Sequence, residues 1–77
     1  MEDAVRIAKQ VIAGEVPPNI GCEHIYGICQ KLDYPSELGM FALLGHEQYG
    51  HEHIGITAES CIPDIIKACQ ELVAQRA

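Results

Sequence analysis

The first thirteen residues place nearly all of their apolar side chains on one side of a helix. At about 100° per residue, charged and polar side chains fall on the opposite side. The apolar face holds Ala4, Val5, Ile7, Ala8, Val11 and Ile12, and the polar face holds Glu2, Asp3, Arg6, Lys9 and Gln10. This pattern predicts an amphipathic α-helix over residues 2–13.

Three further helical segments follow from the same periodicity and from the residues that begin and end helices. Gly14 suits the end of the first helix, and Pro17-Pro18 predicts an extended connection. Asn19 is the expected N-cap of a second helix over about 20–32. Ser36 is the expected cap of a short helix over about 37–44, and Ser60 or Thr57 that of a last helix over about 60–75. We therefore predict an all-α fold, a small bundle of about four helices in a single domain, 1–77.

Two segments interrupt this simple pattern. Residues 45–56 contain the pentads Gly45-His46-Glu47-Gln48-Tyr49 and Gly50-His51-Glu52-His53-Ile54. A glycine every five residues fits neither helix nor strand, so an irregular His/Gly-rich loop is expected. Residues 38–44 are apolar on every side, which is typical of a central core helix or of an exposed binding patch, and the pattern is also compatible with a short buried strand. Gly21 and Gly27 weaken the second helix, and one of them is expected to permit close helix packing.

Charge is distributed unevenly along the 77 residues, whose net charge is −6. No Lys or Arg occurs between Lys31 and Lys67, whereas acidic residues continue throughout that stretch. A negative field disfavours nucleic-acid binding and favours cationic partners, metal ions or simply solubility. The first hypothesis is an interaction module that presents residues 33–64 to a basic protein partner. The side chains expected to contact such a partner are Glu37, Met40, Phe41, Glu47, Tyr49, Glu52 and Glu59.

The histidines suggest an alternative function, transition-metal binding. His46, His51 and His53 lie within eight residues and alternate with Glu47 and Glu52. Imidazole and carboxylate groups suit zinc or nickel. The spacing departs from H-E-x-x-H by one residue, so a zinc-protease site is not predicted. A third hypothesis is a homodimer that buries part of 38–44.

The remaining reactive side chains do not form an enzymatic pattern. Cys22 and Cys29 lie on one helix face, Cys69 is central on the last helix, and no C-x-x-C pair occurs. We expect these cysteines to be reduced and buried, as in a cytoplasmic protein. Ser36 and Ser60 lack a nucleophile context, so the chain is expected not to be an enzyme. Neither a signal peptide nor a membrane span is expected.

The length, acidity and four predicted helices of this chain are shared with acyl carrier proteins. Acyl carrier proteins carry Asp-Ser-Leu at the start of a helix, and Pro35-Ser36-Glu37-Leu38 departs from that motif. The fragments Gly14-Glu15, Gly21-Cys22 and Ala68-Cys69-Gln70-Glu71-Leu72, with acidity and size, resemble small helical bacterial proteins of the toxin-immunity type. That resemblance implies a cationic cognate partner that contacts the acidic surface around residues 33–64.

Overall fold

The structure is a computed structural model that describes residues 1–47, 55, 57 and 59–76. Its four α-helices are α1 (Glu2–Ile12), α2 (Pro18–Lys31), α3 (Gly39–Glu47) and α4 (Ile62–Arg76). Turns of 3₁₀-helix, Ser36–Leu38 and Glu59–Cys61, precede α3 and α4. The part of the chain that the structure describes contains no strand, so the predicted all-α bundle of about four helices is confirmed.

The helices pack around one core to which every helix contributes. α1 contacts α2 and α4, α2 also contacts α3 and α4, and α3 contacts α4. The largest fully buried side chains are Phe41, Ile25, Leu38, Ile65 and Leu72, together with Cys22, Cys29 and Cys69. All four cysteines are free and buried, as expected for small hydrophobic side chains. The Cys22 thiol donates a hydrogen bond to the backbone oxygen of Phe41 at 3.7 Å, which links α2 to α3.

The connection between α1 and α2 depends on two prolines and one glycine. Gly14 has a φ of +80°, a conformation that favours glycine, and it follows the end of α1. The predicted N-cap at Asn19 is wrong, because Pro17 is the N-cap and α2 already begins at Pro18. Proline suits the first position of a helix, since its backbone has no N–H that would need a partner there.

Gly21 allows α1 and α2 to approach closely. It is buried, and a Cβ atom added to it would collide with Cγ2 of Val11 on α1. A Cβ atom at Gly27 would meet no atom within 4 Å. Of the two glycines in α2, Gly21 is therefore the one that permits close packing.

The turn between α2 and α3 contains two consecutive residues in the left-handed region. Asp33 has a φ of 61° and Tyr34 a φ of 57°. The backbone N–H of Tyr34 donates to the Cys29 carbonyl at 2.9 Å, which satisfies an acceptor near the end of α2. Ser36 does not cap an α-helix as predicted, because it opens the 3₁₀ turn that follows Pro35.

The apolar segment 38–44 has one buried side and one exposed side. Leu38, Phe41 and Leu44 are buried, whereas Met40 and Leu43 are each 51% exposed. The segment therefore contributes both to the core and to the surface. Since α3 continues to Glu47, the first three residues of the predicted loop 45–56 are helical instead.

The start of α4 is stabilised by reciprocal hydrogen bonds between Thr57 and Ser60. The Ser60 N–H donates to Oγ1 of Thr57 at 3.0 Å, and the Thr57 N–H donates to Oγ of Ser60 at 2.9 Å. This pair caps the 3₁₀ turn, and α4 begins only at Ile62. The α-helix therefore begins two residues after the predicted start at about 60, and a 3₁₀ turn occupies the residues before it. Pro63 lies in the first turn of α4, where its missing N–H leaves no hydrogen bond unmade.

Candidate functional site

A groove between α3 and α4 combines exposed apolar side chains with acidic ones. It has a volume of about 280 Å³. α3 contributes Met40, Leu43, Leu44 and Glu47, and α4 contributes Asp64, Lys67, Ala68 and Glu71. We call this the acidic groove.

The acidic groove follows from the same spacing on both helices. Each set of four residues has the relative positions i, i+3, i+4 and i+7, which lie on one face of an α-helix. On α3 the first three of these residues are apolar and the fourth is acidic. On α4 the first and last are acidic and Ala68 lies between them. Two facing helices therefore produce an apolar floor with carboxylates at its edges.

The net charge of the groove is negative. Its three carboxylates, Glu47, Asp64 and Glu71, outnumber its one cation, Lys67. Asp64 and Glu71 are exposed and Glu47 is partly exposed, so these charges are hydrated and act mainly by attracting cations from a distance. Apolar contacts are available from Met40 and Leu43, since about half of each side chain is exposed.

The acidic groove contains only part of the predicted partner-binding set. Met40 and Glu47 line it. Phe41 is 1% exposed, so its side chain belongs to the core and its assignment to a contact surface is wrong. Tyr49 and Glu52 lie outside the described residues.

Two further predicted contacts, Glu37 and Glu59, are at the surface but do not line the groove. Glu37 forms an ion pair with Arg76 of α4. Glu59 is exposed in the 3₁₀ turn before α4. Conversely, Leu43, Asp64 and Glu71 line the groove but were not among the contacts predicted from the sequence. Their helical spacing is the signal that would have indicated them.

The predicted metal ligands are described only at His46, which is exposed near the end of α3. His51 and His53 lie outside the described residues. Among residues 1–47, 55, 57 and 59–76, no group of three or more His, Cys, Asp or Glu side chains is arranged to hold a metal ion. Zinc or nickel binding by the three histidines stays a prediction.

The core thiols are poor nucleophiles in the folded protein. Burial, with smaller contributions from the neighbouring Cys69, Cys61 and Glu23, raises the pKa of Cys22 to about 12. Burial likewise raises the pKa of Cys69 to about 11. Since the thiolate is the reactive form, both groups are protonated at neutral pH and serve packing.

Comparison with protein-family models, curated proteins and solved structures found no match to this chain. The resemblance to toxin-immunity proteins therefore stays a prediction. In the described part of the chain, no helix has the length and apolar character needed to cross a membrane.

Proposed function

We propose that this protein is a non-enzymatic interaction module that binds a basic segment of a protein partner in the acidic groove. The observation that carries the proposal is the apolar floor bordered by carboxylates between α3 and α4. An arrangement of this kind complements a segment in which an apolar side chain is flanked by Lys or Arg.

The two kinds of side chain contribute to different stages of binding. Carboxylates at the groove edge accelerate the encounter with a cationic partner and disfavour acidic ones. Burial of Met40 and Leu43 supplies affinity, at about 25 cal/mol per Å² of apolar surface removed from water. Because neither side chain is charged, their contribution persists in high salt, whereas the electrostatic attraction is screened.

The size of the groove defines the partner segment. From Met40 to Glu47, α3 advances by about 10 Å, or two helical turns. Together with the volume of about 280 Å³, this length suits one or two apolar side chains of a short amphipathic helix. Such a contact lies at the low end of specific interfaces, below about 1,200 Å², so we expect a dissociation constant in the micromolar range.

The probe for this proposal is a basic peptide, a synthetic amphipathic helix of Lys and Leu. The control is an acidic peptide in which Glu replaces each Lys in the same pattern. We expect the basic peptide to shift amide NMR resonances of α3 and α4, and the acidic peptide to shift none. The groove variant carries Glu47→Gln, Asp64→Asn and Glu71→Gln, and it should bind the basic peptide at least tenfold more weakly.

A matched control separates groove binding from general attraction to an acidic protein. Glu2→Gln, Glu15→Gln and Glu23→Gln remove the same number of charges from exposed positions outside the groove. Circular dichroism establishes that both triple variants remain helical. If the control loses as much affinity as the groove variant, the attraction depends on net charge alone and the proposal is wrong.

The apolar part of the proposal has its own variant. Met40→Ser with Leu43→Ser shortens two half-exposed side chains and leaves the charge unchanged. We expect this double variant to weaken peptide binding at high salt, where only the apolar contribution remains. Unchanged affinity would contradict a role for the groove floor.

A further inference from the structure

A second and larger groove runs along α1. Its volume is about 640 Å³, and it shares no lining residue with the acidic groove. Val5, Arg6 and Lys9 of α1 line it, and Arg76 at the end of α4 contributes a further cation. We call it the α1 groove. Its volume falls in the range of small-molecule sites, about 300–1,000 Å³.

The charge of the α1 groove differs from that of the rest of the chain. Three of the five Lys and Arg residues, Arg6, Lys9 and Arg76, line it, and only two of the eleven acidic residues, Glu2 and Glu15, do so. The lining therefore has a net charge of +1, and the other residues have a net charge of −7. Arg6 and Arg76 are each paired with a carboxylate outside the lining, Asp3 and Glu37, so Lys9 is the one cation of this lining without an ion pair among the described residues.

We propose that the α1 groove binds an anionic amphiphile, a single-chain carboxylate of medium length. Val5 and the methylene stems of Arg6 and Lys9 form an apolar path for the alkyl chain. The carboxylate lies against the ammonium group of Lys9, where a charge-assisted hydrogen bond is available.

The charge balance selects this class of ligand over polyanions. Lys9, which has no ion pair among the described residues, neutralises one carboxylate, whereas the net charge of −7 outside the lining repels nucleotides and other ligands with several negative charges. Short, fully polar anions gain nothing from Val5 and the alkyl stems. An alkyl chain with one terminal carboxylate uses both features.

Lys9 is the cation best suited to a test. Arg6 forms an ion pair with Asp3 at 3.1 Å, and Arg76 pairs with Glu37. Within the described residues no ion pair involves Lys9, so its replacement breaks no existing salt bridge. Lys9 is also exposed, and Lys9→Gln is expected to leave the fold intact.

The experiment titrates the protein with decanoate, below the concentration at which it forms micelles, and follows amide NMR shifts. Acetate has the same charge without the chain, and decanol has a similar chain without the charge. We expect decanoate to shift resonances of α1 and Arg76, and the other two to bind at least tenfold more weakly. Lys9→Gln should weaken decanoate binding about fivefold, as expected for loss of one exposed charge pair.

The matched control is Lys67→Gln, which removes the same charge from the acidic groove. It should bind decanoate within twofold of the unmodified protein. Equal weakening by the two variants, equal binding of decanol, or shifts confined to residues outside the α1 groove would each overturn the proposal. So would sedimentation that shows a dimer that is lost in Lys9→Gln, because a second copy of the chain would then occupy the groove.

Discussion

The contact between α1 and α2 makes the two glycines of α2 a direct test of the packing. Gly21 and Gly27 are both helical, so replacing either with Ala gains the same helix propensity, about 1 kcal/mol. The two positions differ only in their surroundings. A methyl group at Gly21 collides with the Val11 side chain, whereas one at Gly27 meets no atom within 4 Å.

The two substitutions are therefore expected to change the free energy of unfolding in opposite directions. Gly27→Ala should stabilise the protein by about 1 kcal/mol, because the propensity gain meets no steric cost. At Gly21 the gain is offset by overpacking, which costs about 1–3 kcal/mol. Val11 is 5% exposed and β-branched, so its side chain has little freedom to rotate away. We expect Gly21→Ala to be less stable than Gly27→Ala by about 2 kcal/mol.

Urea unfolding followed by circular dichroism at 222 nm measures this difference. In a chain of 77 residues, about 2 kcal/mol corresponds to a difference in melting temperature on the order of 10 °C. A double-mutant cycle with Val11→Ala identifies the cause. Since that change removes the colliding methyl group, it should cost less in the Gly21→Ala background than alone, by about 1 kcal/mol.

A steric contact at Gly21 would be refuted if Gly21→Ala were as stable as Gly27→Ala. It would also be refuted if Val11→Ala had the same cost in both backgrounds, since the steric contact would then be absent. Equal slopes of the urea transitions are the control that both variants unfold in the same two-state manner.

Three further predictions concern the α2–α3 turn, the thiols and the histidines. Tyr34→Gly should stabilise the protein by about 1 kcal/mol, measured by urea unfolding, because Tyr34 has a φ of 57°. Burial raises the folded pKa of Cys22 to about 12 and of Cys69 to about 11 from 9.0. Folding stability should thus be constant below pH 9 and fall as pH rises above it, less steeply in Cys22→Ala; a flat profile would contradict this. In calorimetric titration with zinc at neutral pH, replacing His46, His51 and His53 with Ala should abolish zinc binding. The control variant His24→Ala should leave that binding intact.

The sequence was sufficient to predict those helices in which apolar and polar residues fall clearly on opposite faces. In α1, apolar and polar residues separate cleanly, and the predicted 2–13 agrees closely with Glu2–Ile12. The start of α2 was misplaced because Asn19 is a strong N-cap by type, whereas Pro18 fits the first helical position better. Local preferences compete at such boundaries, and the connection to the preceding helix decides among them.

Which side of α3 is buried could not be predicted from the sequence, for a different reason. When every side of a helix is apolar, periodicity carries no information about which side is buried. Phe41 is in the core while Met40 next to it is half exposed, and only packing against the other helices distinguishes them. The same is true of Gly21 and Gly27. The sequence does not distinguish these two helical glycines, whereas in the structure the Val11 side chain packs against Gly21 and no atom lies within 4 Å of a Cβ added at Gly27.

Both grooves join residues that are distant in sequence, so charge counted along the chain gives an incomplete description. Lys67 is one of only five Lys and Arg residues in the chain, and it lies among the carboxylates of the acidic groove. Conversely, the acidic Glu15 lies beside the cations of the α1 groove. What distinguishes the two grooves is the balance of charge in each, negative in one and +1 in the other.

This separation makes the two binding proposals independent of each other and testable against each other. Since no residue lines both grooves, Lys9→Gln should leave binding of the basic peptide unchanged or strengthen it slightly, because the loss of one cation makes the net charge of the protein more negative. The groove variant with neutralised Glu47, Asp64 and Glu71 should bind decanoate at least as well as the unmodified protein, because it repels anions less. If either variant impaired both ligands equally, the two would share one site or respond to a common loss of structure, and the assignment of separate sites would be wrong.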